Sequence, residues 1–183
     1  GQYCDELVPD GKGDQEPRFT LNVYQQSQED AYSVLGKMAG VMRAYMFWDG
    51  QSIVLDADMP SDTVYTFTRA NVINGHFEFS GTRKRDRHTI AVVNFDNPDN
   101  RFKTEQEPIP DEEAIAKYGI NKVEIDAWGV TSRGQAQRAG QWALKTEKYE
   151  TQTVVFKVGL EGYIPQPGKV IEIADESFAG RAN

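Results

Sequence analysis

Hydrophobic and polar positions change period several times along this chain, and each change predicts an element. Phe19, Leu21 and Val23 alternate with polar neighbours, the period of a half-buried strand. Ser27 followed by Asp30 reads as a helix start. Ala31, Val34, Leu35, Met38, Ala39 and Met42 then recur at helical spacing, so Leu35 and Met38 are expected in a core. In YMFWDGQSIVL, Asp49-Gly50 predicts a type I′ turn joining strands Tyr45–Trp48 and Ser52–Leu55. Asp56 to Pro60 reads as a turn and Thr63–Thr68 as a strand, followed by a bend at Gly75 and a strand about Phe77 and Phe79. The run HTIAVVNF, His88–Phe95, predicts a strong strand ending at the turn DNPDN, with 101–110 a polar connection.

Asp111 opens the short helix DEEAIAKY, with acids in its first turn and Gly119 at its end. Lys122–Ala127 follows as a strand. Ser132 and Gln135 are spaced as a capping box for a helix whose apolar face is Ala136, Ala139, Trp142 and Ala143. Trp142 is expected to supply most of the area that this helix buries. Thr151–Val158 is the clearest strand pattern, with Val154 and Phe156 facing a core, and Pro167-Gly168 turns the chain into a last strand, Lys169–Ala174. These elements predict an α+β fold of mostly antiparallel sheets or a partial barrel, with two main helices. The expected division is an N-terminal linker or arm over 1–18, a small α+β subdomain over 19–70, a larger β-rich subdomain over 71–176 and a truncated end over 177–183. SFAGRAN does not read as a natural ending, so a fragment of a longer protein is expected.

Composition narrows the function. The 183 residues are 39% hydrophobic and 26% charged, with a net charge of −8. No apolar run approaches the roughly 20 residues needed to span a bilayer, and the acidic balance argues against a general nucleic-acid binder. The single cysteine, Cys4, has no internal partner and no zinc-like spacing, and no signal peptide is evident. No cofactor is called for.

Candidate chemistry is sparse. The two histidines, His76 and His88, accompany no G-x-S-x-G elbow, and His88 is expected to bond a neighbour such as Asp86. Carboxylate sets at Asp56 and Asp58, Asp96 and Asp99, and Asp111–Glu113 fall in turns or at a helix start, where acids are favoured anyway. NFDNPDN lacks the spacing of a calcium loop. We therefore expect no catalytic residue and no metal site. Arg83, Lys84, Arg85 and Arg87 form the one basic cluster, a candidate interaction surface for an acidic neighbour or a phosphate, or a guard against stray strand pairing.

The run from Asp126, DAWGVTSRGQAQRAGQWALKTEKYETQTVVFKVGLEG, continuing into PGKVIEIADESFAG, resembles the central region of the tail-tip host-specificity (attachment) protein J family of lambda-like bacteriophages and prophages. The elements TSRGQA, KTE and ETQTV carry the likeness, and FTLNVYQQSQEDAYSVLGKMAG, FWDGQSIVLDADMP and DRHTIAVVNFDNPDNRF extend it upstream. The resemblance implies a non-enzymatic structural domain of a tail-tip hub, acting in tail assembly, host attachment and DNA delivery. It implies a trimer in the full-length protein, contacts with other tail-tip proteins and the tape-measure protein, and a bacterial surface receptor bound through a C-terminal region absent here. It also implies a place at the virion tail tip, assembled in the host cytoplasm, without stable nucleic-acid binding or a membrane span. An acidic lining would let DNA pass without sticking. Two alternatives stand beside it: a receptor- or glycan-binding module using exposed aromatics such as Tyr163, Trp48 or Phe178, and a tail-associated cell-wall hydrolase.

Overall fold

The computed structural model describes residues 2–81 and 87–175. The chain runs α1 (Gln2–Asp5), β1 (Leu7–Pro9), β2 (Gln15–Pro17), α2 (Ala31–Val41), β3 (Ala44–Trp48), β4 (Ile53–Ala57), β5 (Tyr65–Thr68) and β6 (Phe77–Gly81). It continues through β7 (Ile90–Asn97), β8 (Lys103–Pro110), α3 (Glu112–Tyr118), β9 (Lys122–Asp126), α4 (Arg133–Tyr149), β10 (Gln152–Phe156) and β11 (Ile171–Ala174). The fold is α+β. Four strand pairings among the described residues are antiparallel, while β5 with β11 and β7 with β9 are parallel. Among the described residues the strands form small open sheets and no closed barrel.

Two compact units share the chain discontinuously. One takes residues 1–43 and 82–151, the other 44–81 and 152–183. This differs from the expected cut near residue 70, because strand partners are far apart in sequence. β6 pairs with β10 and β5 with β11, so the segment after the second unit's hairpin cannot be separated from the end of the chain. The expected end segment 177–183 lies outside the described residues.

The first unit is built on the three-stranded sheet β8-β7-β9, with α4 on one face. Ala91, Val93 and Phe95 of β7 alternate inward and meet Ile109, Val130, Ala136 and Leu144, with Val41, Val123, Ile125 and Ala127 packed around them. Residues 103–110, expected as a connection, form β8. Its Pro108 and Pro110 mask the strand pattern, yet an edge strand tolerates them because one row of its backbone needs no ladder partner. Trp142 is not the anchor of α4: it is 38% exposed, whereas Ala136 and Leu144 are buried and Gly140 lets the helix approach the sheet. Met38 is likewise 39% exposed, and on α2 it is Ala39 that is buried, with Leu35 only half-buried.

Residues 19–23 make no strand ladder although they alternate. Phe19 N–H donates to Cys4 O, Thr20 N–H to the Gln135 side chain and Asn22 N–H to Gly129 O, so three different elements take the segment's hydrogen bonds. Gly129 (φ +68°) is required where Leu21 and Val23 cross it, since a Cβ there would lie 2.3 Å from Val23 Cγ2. The caps follow the sequence more closely. Asp30, Asp111 and Ser132 each accept from the backbone N–H three residues on. Gln135, expected to reach back to Ser132 as a capping box, instead accepts from Thr20 N (3.0 Å) and Oγ1 (2.9 Å) and donates to Thr20 O (3.1 Å).

In the second unit Phe67, Val72 and Phe77 form the core, with Val154 and Phe156 packed against it. Phe156 lies 4.9 Å from Phe67 and 5.2 Å from Phe77, ring centre to ring centre. Strands β3 and β4 form the expected hairpin, but Trp48 pairs with Ile53, so the loop has four residues and not the two of a type I′ turn. Asp49 Oδ1 accepts from Gln51 N and Ser52 N, and of Asp49 and Gly50 only the glycine has positive φ.

Residues 1–18, expected as a linker or a loosely docked arm, are held within the first unit wherever they are described. Arg138 of α4 donates to Glu16 (2.7 Å), Pro9 O (3.3 Å) and Arg18 O (3.1 Å), and Ser132 donates to the Glu16 carboxylate. Gly134 makes this close: a Cβ there would sit 2.7 Å from Asp10 O. On an open helix, Gly→Ala gains about 1 kcal/mol. Here we predict that Gly134→Ala destabilises the protein by about 1–3 kcal/mol, as overpacking does, measured by urea unfolding. It should also make residues 1–18 cleavable by limited proteolysis.

Candidate interaction surfaces

Of the basic cluster, Arg83, Lys84 and Arg85 lie outside the described residues. Arg87 is described and half-buried, its Nη1 donating to Lys148 O at 3.4 Å. It borders a depression of about 140 Å³ at the C-terminal end of α4, lined also by His88, Asp111, Glu113, Lys117, Tyr118 and Lys148. Asp86, the neighbour expected to bond His88, lies outside the described residues. His88 pairs here with Glu147, its backbone N–H donating to Oε2 and its Nδ1 lying 2.8 Å from Oε1. Lys148 bridges Asp111 (3.1 Å) and Glu113 (3.3 Å), and Lys117 pairs with Glu113 at 2.6 Å. The Ala114 N–H and Lys148 hold the Asp111 carboxyl below its usual range against the opposing effect of burial, and Asp111 in turn raises Lys148. These charges brace α3 against the end of α4.

A second surface was not found from the sequence. Between α2, α4 and the end of β9 lies a largely apolar cleft of about 320 Å³ lined by Phe19, Val41, Ile125, Trp128, Ala139 and Trp142, among others. Cations stack on its aromatic walls: Lys37 lies 5.6 Å from the Trp128 ring centre, and Arg43 lies 5.2 Å from Trp142 and 5.3 Å from Phe19. The signal available in the sequence was Trp142, a large aromatic residue flanked by the small Ala139 and Ala143 of α4. A tryptophan beside Ala139 and Ala143 overhangs a hollow instead of filling one.

A third, open and polar concavity carries Asp10, Glu16, Asp99, Glu105 and Glu107. The NFDNPDN turn borders it and spends its polar groups internally. Asn97 accepts from Asp99 N at 3.0 Å, and Asn97 and Asn100 donate to Glu105 at 2.9 and 2.8 Å. Among the described residues no cluster of three or more His, Cys, Asp or Glu side chains could hold a metal ion. Glu107 faces α4 from β8 and is nearly buried, accepting from Arg133 Nε and Gln137 Nε2, both at 2.7 Å. Burial pushes its pKa up, and these two donors with the Arg133 charge more than offset that, leaving it lowered. The carboxylate sets at Asp56 and Asp58 and at Asp96 and Asp99 gather into no common site. Asp56 pairs with Lys169 (2.9 Å) and Asp96 accepts from Thr104 (2.9 Å). No described helix is long and apolar enough to cross a membrane.

Comparison with known proteins gives concordant findings. The profile of a family described as putative phage tail protein matches residues 30–183. The chain is 42% identical over 175 residues to the "Tip attachment protein J" of Escherichia phage SECphi27, covering 96% of this chain and 15% of that protein. It is 37% identical over 180 residues to the protein of the same name in Escherichia phage SECphi4, covering 98% of this chain and 16% of that protein. The chain thus spans about one sixth of these relatives. In fold it is similar to the 43 kDa tail protein of prophage MuSo2 from Shewanella oneidensis, with a TM-score of 0.55 and 16% identity, over 86% of this chain and 48% of that one.

The lowered Glu107 pKa sets a pH dependence. A carboxyl depressed by folding contributes stability that is present above its unfolded pKa of about 4.3 and is lost as pH falls through the folded value. Glu107→Gln should therefore cost on the order of 1–3 kcal/mol at neutral pH. The gap from the parent should close in acid, as chemical denaturation at a series of pH values would show.

Proposed function

Because the chain belongs to the family of putative phage tail proteins, we propose that it is a structural domain of a tail-tip hub that works through protein–protein contacts. The observation that carries this reading is likeness over nearly the whole chain to two proteins named for tip attachment. The fold supports it. Among the described residues four of the five sheets have only two strands, so much backbone edge stands ready for neighbours, and Glu16, Asp111 and Glu113 are held in internal ion pairs. In this reading the domain is not an enzyme. It contributes to tail assembly, host attachment and DNA delivery as one of several copies, a trimer in the full-length protein, beside other tail-tip and tape-measure proteins. The receptor is met by another part of the polypeptide, and the domain sits at the virion tail tip after assembly in the host cytoplasm.

Immunogold electron microscopy with antibodies raised against this chain tests the reading on virions of the encoding phage or prophage. Label confined to the distal end of the tail is expected. Label on the capsid, or virions without the antigen, would refute it.

A further inference from the structure

We propose that the outer edge of β9 is a strand-addition site for an extended segment of a partner protein, apolar on one face and basic on the other. The inference rests on the reading of the domain as an assembly part and says which edge engages and what chemistry it accepts. β9 lies at the border of the β8-β7-β9 sheet. Asn121 O accepts from Thr89 N (2.8 Å) and Ile90 N (3.0 Å), and Ala127 N donates to Asn94 O (2.9 Å). Backbone groups in a strand alternate sides, so Val123 and Ile125 also turn toward β7, while Lys122, Glu124 and Asp126 turn away from it. Those three residues are exposed, and among the described residues no strand pairs with that side. The edge ends where Asp126 O accepts from Trp128 N at 3.1 Å.

Proteins commonly guard such an edge with charged side chains. Here the carboxylates lie back over the sheet instead. Glu124 Oε1 accepts from Asn94 Nδ2 (2.9 Å) and Gln106 Nε2 (3.3 Å), and Asp126 Oδ1 accepts from Asn94 Nδ2 (2.6 Å). Lys122 is such a charged residue at the start of the edge; past it, the outward N–H groups of Glu124 and Asp126 pair with no strand among the described residues.

The cleft under Trp142 gives the second observation. It opens at the end of this edge, lined by Ile125, Ala127 and Trp128. A strand laid along β9 sends alternate side chains to the helix side of the sheet, where the apolar cleft receives them. The other set falls beside Glu124 and Asp126, with Asp96 behind them on the same sheet face. Main-chain hydrogen bonds then supply affinity, and the alternating surfaces supply selectivity. The acidic row favours lysine or arginine on the partner and disfavours another copy of a chain carrying −8.

The probe is a short synthetic peptide alternating lysine with valine around a central phenylalanine. Binding is expected to slow hydrogen exchange at the Glu124 and Asp126 amides and to change the fluorescence of Trp128 and Trp142. N-methylation of the peptide amides facing β9, or glutamate in place of lysine, should each weaken binding at least about tenfold. Glu124→Pro removes an outward N–H without breaking the ladder to β7 and should abolish binding. Should that variant fold poorly, Ala143→Phe fills the cleft and should weaken binding comparably. Equal binding of the N-methylated or glutamate peptide, or protection elsewhere on the protein, would overturn the proposal. So would a dimer in sedimentation that Glu124→Pro dissolves, since a second copy would then hold the edge. Loss of peptide binding leaves a tail-tip location intact, whereas mislocalised label leaves peptide binding intact, so the two failures are distinguishable.

Discussion

The close seating of α4 on the β8-β7-β9 sheet is the contact on which the first unit depends. A helix can lie this near a sheet only if the residues between them are small. Ala136 has no exposed surface, and a Cβ on Gly140 would approach Ile109 Cδ1 to 2.7 Å and Val93 Cγ2 to 3.0 Å. Interiors packed at this density have no room for an added methyl group without displacement of neighbours. The alanines and glycines of α4 thus carry the fold as much as its large apolar residues do.

With the helix fixed, its polar side chains become connectors. Arg133 and Gln137, one turn apart, reach the nearly buried Glu107 of β8. Gln135 and Arg138 reach the other way and hold residues 9–20, an arm with little apolar surface of its own. At the far end Glu147 and Lys148 bind His88, Asp111 and Glu113. These described charges are committed to internal structure. The aromatic-walled cleft and the outer edge of β9 are surfaces of another kind, apolar and backbone in character.

The family assignment and the physics meet at this point. A domain in an assembled tail tip works by offering surfaces, and a sheet bordered by an unpaired strand offers one whose specificity lies in the order of residues along a partner. The second unit has the same character on a smaller scale: among the described residues its sheets are two-stranded, and β5-β11 and β6-β10 pack on the Phe67, Val72 and Phe77 core.

Local signals in the sequence determined α2, α3, α4 and most strands, though not α1. Asp111, Ser132 and Gly119 act at short range, and alternation in IAVVNF or TVVF marks a buried face whatever the partner. The resemblance to tail-tip proteins was likewise legible, because it resides in residue order. Tertiary structure decided the rest. Phe19 to Val23 alternate like a strand but find their hydrogen-bond partners in a cysteine carbonyl, a glutamine side chain and a glycine turn. Lys103–Pro110 reads as a loop and becomes an edge strand, because the ladder it joins tolerates proline. Trp142, with every mark of a core residue, overhangs a cleft instead, since Gly140 and Ala136 had already brought the helix to contact distance. Which residue faces water depends on what lies opposite it, and opposite residues here come from segments far apart along the chain.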